Sequence, residues 1–456
     1  MSLVRIADAA ELAAFLAAHP DVRAVQIMIT DPSGVLRGKS VRREELVRIY
    51  ASGRQVAGSI LGLDITGEDV DATGLVWDTG DADMCARPIA GTLKRAPWLA
   101  APTGQLMLTL FDGQGEPAAA DPRHALVRVL ERFAALGMRP VVACELEFYL
   151  LKDEGGGRLV PAGGGRPGER QKIDAYSLTR LDDLAPVFDE VYRAAQAQDL
   201  PAETLMSEYA PGQFEITLHH RDDALRAVDE AILFKRVMRG VAARHGLVAS
   251  FMAKPFADRA GSGMHLHASL VDGAGRNLFA AVEPEGTAPL RHAIGGLRET
   301  MADGIAVFAP HANSYRRFRA QSYAPIAPTW GINNRTVSLR VPAGPPESRH
   351  VEHRVAGADA NPYLVAALVL AGMLRGIDSQ SDPGTPVTGN GYTQTVAARW
   401  PLHWPQAVER AANAEFVADA LGRGFLDVFL AIKRHECEKF GALVSDRDYE
   451  WYLDTV

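Results

Sequence analysis

Four short segments of this chain alternate apolar residues with residues that are costly to bury. In VVACELEFYLL, Glu145 and Glu147 fall on one side of a strand while Cys144, Leu146, Phe148 and Leu150 take the other, because strand side chains alternate with a period of two. Glu208 and Glu215 flank YAPGQF, where Gly212 permits a tight turn. GSGMHLHASL sets His265, His267 and Ser269 opposite Met264, Leu266 and Leu270, and HVEHRV sets Glu352 and Arg354 on a common face. Taken alone, the Glu145/Glu147 pair reads as a solvated strand face, and a lone histidine as a hydrogen-bonded structural residue. Recurrence changes that reading. Such groups, gathered on one sheet face, must pair with each other or with ions.

Five carboxylates and one imidazole, from Glu145, Glu147, Glu208, Glu215, Glu352 and His265, suit hard divalent cations such as magnesium or manganese. That is more acid than one ion needs, so two or more ions are expected. Neighbouring cations in turn point to phosphoryl chemistry, in which metals neutralise the transferred group. Arginines follow in NSYRRFR and NNRTVSLR, namely Arg316, Arg317, Arg319, Arg335 and Arg340. Arginine grips carboxylate and phosphate in a bidentate way, although Arg316 and Arg319 read equally well as solvated surface. GVLRGKS, residues 34–40, resembles a phosphate-binding loop but has one residue too few between its glycines. Loop length sets the amide directions there, so it is set aside as a decoy.

At 456 residues, two or more domains are expected. A net charge of −8 argues against general affinity for nucleic acid. Cys85, Cys144 and Cys437 form no CxxC pair, which suits a reducing compartment. The N-terminus carries early acids and no long apolar stretch, so no signal peptide is expected, and Tyr363–Leu374 is too short to cross a bilayer. A cytoplasmic protein without a membrane partner is expected.

Along the chain, Asp8 caps a helix bearing Leu12, Phe15 and Leu16, VRAVQIMIT reads as a strand, and Asp31–Gly34 as the turn after it. The stretch from Trp98 to Pro117, with QLMLTLF, closes a first α/β unit. Asp121–Pro122 opens a helix that ends at Gly137, and Asn361–Pro362 opens another that stops near Gly376. Residues 154–170 read as a glycine-rich surface loop, and Phe416–Phe440 as an amphipathic stretch.

The stretches ELEF, E…GQFE, KPF…GSGMHLH, NSYRR, NNRTVSLRVP and VEHRV…NPYL, in this order, resemble the glutamine synthetase family across nearly the whole chain. The resemblance implies an α+β fold, with an N-terminal β-grasp-like domain over 1–117 and a catalytic domain over 118–456 whose curved antiparallel sheet is flanked by helices. It implies Glu147, Glu208 and Glu215 as ligands of one metal, and Glu145, His265 and Glu352 as ligands of another. Arg317 and Arg354, with the Gly261 backbone, would bind glutamate. Arg335 and Arg340 would face the transferred phosphoryl group, and Glu203, His267 and Ser269 would line the nucleotide site. ATP is then a co-substrate, and γ-glutamyl phosphate is the intermediate that an amine displaces. Asp31 matches the residue that holds ammonium from a neighbouring subunit, so a homo-oligomer is implied, commonly two stacked hexamers.

Two departures matter. Tyr323, in AQSYAP, stands where ammonia-using members carry a flap glutamate, and Ala260 replaces an asparagine of the glutamate site. Asp31 and Glu208 still offer an ammonium head negative charge, Tyr176 matches a tyrosine of that pocket, and Tyr323 adds an aromatic face for an alkyl chain. GVLRGK, GLDIT, SYAP and PTWGINNRT look like the γ-glutamylpolyamine synthetase branch. An organic amine, such as putrescine or another alkylamine, is the expected acceptor, with Asp31 helping to remove its proton. The alternatives are a glutamine synthetase that uses ammonia, with Tyr323 merely packing, and a non-catalytic scaffold. No segment around PVTGNGYTQ resembles the adenylylation site of regulated members, so Tyr392 is a doubtful modification site.

Overall fold

The computed structural model describes residues 3–163, 173–393 and 400–456. Asp8 caps the helix Ala9–Ala18 as expected, accepting from the Ala10 and Glu11 N–H groups at 3.0 Å, and Leu12 and Phe15 are its buried side. The strand Ala24–Thr30 runs parallel to Thr103–Phe111 at the centre of a six-stranded sheet. Its order is Leu36–Arg42, Ala24–Thr30, Thr103–Phe111, Asp83–Pro88, Arg54–Ala57, with Lys94–Arg95 also on Thr103–Phe111. The decoy segment lies in this sheet: residues 36–42 pair antiparallel with 24–30, an extended shape that wraps no phosphate.

The second sheet has nine strands. It runs Trp330–Ile332, Leu339–Val341, Val351–His353, Met264–Val271, Arg139–Asp153, Gln213–Leu218, Ala202–Ser207, while Leu247–Ser250 and Leu159–Pro161 pair with the far half of Arg139–Asp153. All pairs are antiparallel except Trp330–Ile332 with Leu339–Val341. Leu159–Pro161 forms a strand within the glycine-rich stretch; residues 164–170 of that stretch lie outside the described residues.

One face of this sheet is the core. Cys144, Leu146, Phe148, Leu150, Phe214, Ile216, Leu266 and Leu270 pack into a cluster with Phe234 and Val237 of the helix Ala224–Arg244 and Leu368 of the helix Pro362–Ser379. Each large apolar side chain buried there contributes roughly 1.5–3 kcal/mol. That face fixes the strand register, because a one-residue slip would turn every acid into the core.

Asn361 caps Pro362–Ser379, but the helix does not stop at Gly376. That glycine serves contact instead: a Cβ there would lie 2.1 Å from the His292 carbonyl oxygen of the neighbouring helix Ala288–Thr300. The same helix corrects the membrane expectation. It is long and apolar enough to cross a bilayer by length and composition, and what marks it as a core helix is that 78% of it is buried inside the protein. The Phe416–Phe440 stretch is two helices, Glu415–Leu421 and Arg423–Gly441, broken at Gly422 with φ 83°.

The two sheets are tied by polar contacts at the Asp31 turn. Asn361 Nδ2 donates to the Asp31 and Pro32 carbonyls at 3.2 and 3.1 Å. Lys433 of the helix Arg423–Gly441, fully buried, donates to Ser33 Oγ at 3.1 Å and Glu436 at 2.8 Å, and Glu436 accepts the Ile65 N–H at 2.8 Å. Asn361→Ala removes a helix cap, about 1 kcal/mol, and takes the Asn361 donor from the buried Pro32 carbonyl, about 1 kcal/mol more, while the Asp31 carbonyl keeps the Gly34 N–H at 2.9 Å. It is expected to lower the thermal midpoint by a few degrees in a scanning calorimeter; an unchanged midpoint would contradict this clamp.

Candidate active site

The register of the nine-stranded sheet turns scattered residues into a row. Glu215 lies opposite Glu147, His265 opposite Glu145, and Glu352 opposite both His267 and Arg340. All point away from the apolar core. The strand alternation read from ELEF and MHLH is therefore the local cause of the site.

At one end, Glu147, Glu208 and Glu215 bring ligand atoms within 4.8 Å of one another. Glu208 sits one residue beyond the strand Ala202–Ser207, on the turn that leads into Gln213–Leu218. Burial, then the charges of Glu145, Glu147 and Glu208, push Glu215 up to about 11. Burial, then Glu147, raises Glu208 to about 7. Packed like charges of this kind are relieved by a cation, so the donor set fits a hard divalent ion.

In the middle, His265 Nδ1 lies 2.5 Å from Glu145 and 3.6 Å from Glu352. Glu145 and Glu352 also form a second ligand group with His267. Burial opposes the charge on Glu145, but His265 and His267 outweigh it and hold the carboxyl well below its ordinary value. Burial likewise opposes Glu352, and Arg354, His267 and His265 bring it down to about 2. The expected trio Glu145, His265 and Glu352 is thus brought together, with Arg340 donating to Glu352 at 2.9 Å and to Asn333 at 3.0 Å. Arg354 also donates to Glu352, so its guanidinium is committed to that acid rather than left open for a substrate carboxylate.

Arg317 is buried and hydrogen-bonds the Val355 carbonyl at 2.7 Å. It approaches so closely that a Cβ on Gly261 would meet its Cγ at 2.8 Å, and one on Gly263 its Nη2 at 2.6 Å. The Gly263 N–H donates to Glu147 at 2.6 Å, linking this corner to the acids. Arg316 and Arg319 are exposed.

Other expected residues stand apart. Glu203 is exposed and bonded to His219 at 2.6 Å. It lies five residues along the chain from Glu208, roughly 16 Å at strand rise, outside the acidic row. Arg335 is exposed on the loop between Trp330–Ile332 and Leu339–Val341, and Ser269 is half-buried four residues beyond His265. Tyr176 and Tyr323 are 69% and 59% exposed, and both hold left-handed backbone, φ 56° and 57°. Such φ values are costly for a bulky residue and tend to collect at functional loops. The Tyr176 N–H bonds the Ser207 carbonyl at 2.9 Å, next to Glu208. Tyr392 donates to the Ala324 carbonyl beside Tyr323, at 3.2 Å.

Asp31 is held by partners of its own chain. Its side chain is wholly buried, accepting the Val35 N–H at 2.8 Å and Arg37 Nε at 2.9 Å. Burial raises its carboxyl. Within one chain it cannot touch an amine unless the Arg37 bond opens.

Residues 119–452 match the family described as the glutamine synthetase catalytic domain. The chain belongs to the glutamine synthetase family. It is 37% identical over 448 residues to a γ-glutamylputrescine synthetase, PuuA, of Escherichia coli, covering 97% of this chain and 94% of that one. It is 31% identical to a glutamate–isopropylamine ligase of a Pseudomonas species, covering 97% of each. Among solved structures, a GmaS/ADP complex superposes with a TM-score of 0.84 at 30% identity, over 97% of this chain and 99% of that chain. Members of the glutamine synthetase family use ATP and divalent metal ions, and the acidic row is where such ions fit this chain.

Sequence reasoning missed Arg37, Lys433, Gly263 and the hold of Asn361 on the Asp31 turn. Their roles come from contacts across more than 50 residues of chain or from single turns with no spacing signature, although the paired glycines of GSG were a visible hint.

Glu208 and Glu215 have folded values above the unfolded carboxylate value of about 4.3. These two carboxyls therefore bind more protons in the folded, metal-free chain than in the unfolded one, and their share of the stability falls as pH rises. For Glu208 that loss runs up to about pH 7. Glu145 and Glu352, held low, stay ionised across this window and add no slope. Burial brings His350 down to about 4 and His353 to about 3, and both oppose the trend below the ordinary imidazole value. In metal-stripped protein the thermal midpoint of Glu208→Gln, taken relative to that of the unaltered chain, is expected to rise between about pH 5 and 7.5, and divalent cation is expected to remove that pH dependence. A difference that stays flat or falls without metal would refute the charge balance.

Proposed function

We propose that this protein joins the γ-carboxylate of glutamate to an organic amine at the expense of ATP. Support comes from the complete row of acids and imidazoles in a chain that is 37% identical to a γ-glutamylputrescine synthetase over nearly its full length. A carboxylate is a poor acyl donor. Its γ-oxygen attacks the terminal phosphorus of ATP, ADP leaves, and γ-glutamyl phosphate forms. The amine nitrogen then attacks the acyl carbon, and phosphate departs with the bonding pair. Magnesium or manganese, two or more ions per site, supplies charge neutralisation on the phosphates when bound.

The chain's own groups divide that work. Glu147, Glu208 and Glu215 hold one ion, and Glu145, His265 and Glu352 the other. Arg317, with Gly261 at its side, receives the glutamate carboxylates, helped by Arg354 once Glu352 turns to a metal. Arg340 and Arg335 draw charge off the phosphoryl group, and His267, Ser269 and Glu203 border the nucleotide. Tyr323 and Tyr176 flank the amine's alkyl part. An alkylammonium, with a pKa of about 10, must lose a proton before it attacks. Glu208 is the better placed of the two acids named for that task, since Asp31 is locked to Arg37. A role for Asp31 needs a neighbouring subunit and an opened Arg37 bond. We place the chain in a homo-oligomer of stacked rings, divided at residues 117/118 and acting in the cytoplasm. Exposed Leu443, Val444, Trp451 and Leu453 give such an assembly apolar surface to bury.

Phosphate release with glutamate, ATP and a panel of amines tests the reading. An alkylamine or polyamine is expected to give the highest kcat/KM, and Tyr323→Glu is expected to shift preference toward ammonium by about tenfold, the scale of a few pocket contacts. Ammonium as the best acceptor of the unaltered protein would return it to the ammonia-using reading, and silence with every acceptor would mark a scaffold.

A further inference from the structure

The segment 384–392 is fastened to the loop that carries Arg335. The Val387 N–H donates to the Trp330 carbonyl at 2.8 Å, and Trp330 Nε1 donates to the Gly384 carbonyl at 3.0 Å. Asn334 Nδ2 donates to the Val387 and Gly389 carbonyls at 3.1 and 2.9 Å. The Gly391 N–H donates to Thr336 Oγ1 at 2.8 Å. The two backbones run so close there that a Cβ on Gly391 would lie 2.5 Å from the Thr336 carbonyl oxygen. Tyr392 comes next, and its N–H donates to Asn390 Oδ1 at 3.0 Å. Its side chain therefore starts from a fixed platform.

From that platform the Tyr392 hydroxyl crosses to a second loop and donates to the Ala324 carbonyl at 3.2 Å. The charges of Arg317 and Arg354, on the glutamate side, reach the same hydroxyl. The receiving loop is strained, since Gln321 and Tyr323 both hold left-handed backbone, φ 59° and 57°. Residues with side chains keep such backbone only where their surroundings over-determine it. Packing does not do this for Tyr323, which is exposed. Inside the loop, Ser322 Oγ donates to the Arg319 carbonyl at 2.6 Å and accepts the Ala324 N–H at 3.3 Å. Among the described residues, Tyr392 is the one side chain from outside the loop that hydrogen-bonds the backbone of 321–324.

We propose that Tyr392 is a positioning residue for the acceptor: its hydroxyl holds the 321–324 loop to the Arg335 loop and so sets where Tyr323 presents its ring to the alkyl part of the amine. This rests on the amine-ligase reading of the site. Ammonium has no alkyl part, so its use is indifferent to where that ring stands.

Tyr392→Phe keeps the ring and removes the bond. In the full-length protein, hydrogen–deuterium exchange over 320–326 is expected to quicken by about fivefold, the scale of one neutral hydrogen bond, with exchange over 333–337 unchanged. With ATP and glutamate saturating, KM for the best alkylamine is expected to rise by about the same factor, while kcat and the KM for ammonium move by less than about twofold. In a Tyr323→Ala background, Tyr392→Phe is expected to add nothing to the alkylamine KM, because the two residues act as one unit. Unchanged exchange over 320–326 overturns the hold itself. An unchanged alkylamine KM, an equal rise for ammonium, or a rise that persists undiminished in the Tyr323→Ala background overturns the part in acceptor choice. An unaltered chain that turns over no amine overturns the ligase reading and the acceptor role with it, whereas the exchange result judges the hold separately.

Discussion

Repulsion among neighbouring carboxylates is the interaction that the site has to solve. Glu145, Glu147, Glu208, Glu215 and Glu352 are crowded onto one side of a single sheet, half-buried or buried. The chain spends its cationic groups unevenly on them. Arg340, Arg354 and the two imidazoles gather on Glu352 and Glu145, which are held ionised. Among the described residues Glu208 and Glu215 receive no such partner, and they are driven toward the protonated form. The imbalance marks where positive charge is missing from the protein and must come from outside it.

The fold exists to keep that tension from relaxing. The apolar face of the nine-stranded sheet is clamped by Ala224–Arg244 and Pro362–Ser379, so the strands cannot slip by one residue and disperse the acids. Arg317 sits between Gly261 and Gly263 with no room for a side chain at either position. Asn361, Lys433 and Glu436 hold the Asp31 turn and the 64–66 loop against the second unit. A single chain therefore fixes its metal-facing groups firmly, while the aromatic residues Tyr176 and Tyr323 that border an acceptor remain exposed on left-handed backbone.

Much of this was legible in the sequence, for a physical reason: strand alternation is a local property, so ELEF and MHLH announce a charged face by themselves. The Asp8, Asp121 and Asn361 caps were equally readable, because a short polar side chain before a helical run acts within three residues. Long-range pairing was not readable. Nothing near the Asp31 turn says that Asn361 and Lys433, more than 300 residues away, reach it, and nothing in the spacing of Arg37 from Asp31 or of His219 from Glu203 announces those pairs. Gly376 misled because a glycine that ends a helix and a glycine that lets two helices touch look alike in one dimension.

Anomalous diffraction from crystals of the protein soaked in Mn2+ and a nucleotide bears most directly on the central claim. Two or more anomalous peaks are predicted, one among Glu147, Glu208 and Glu215 and another among Glu145, His265 and Glu352, each beside a phosphate oxygen. Full nucleotide occupancy with no anomalous density between those side chains would contradict the account.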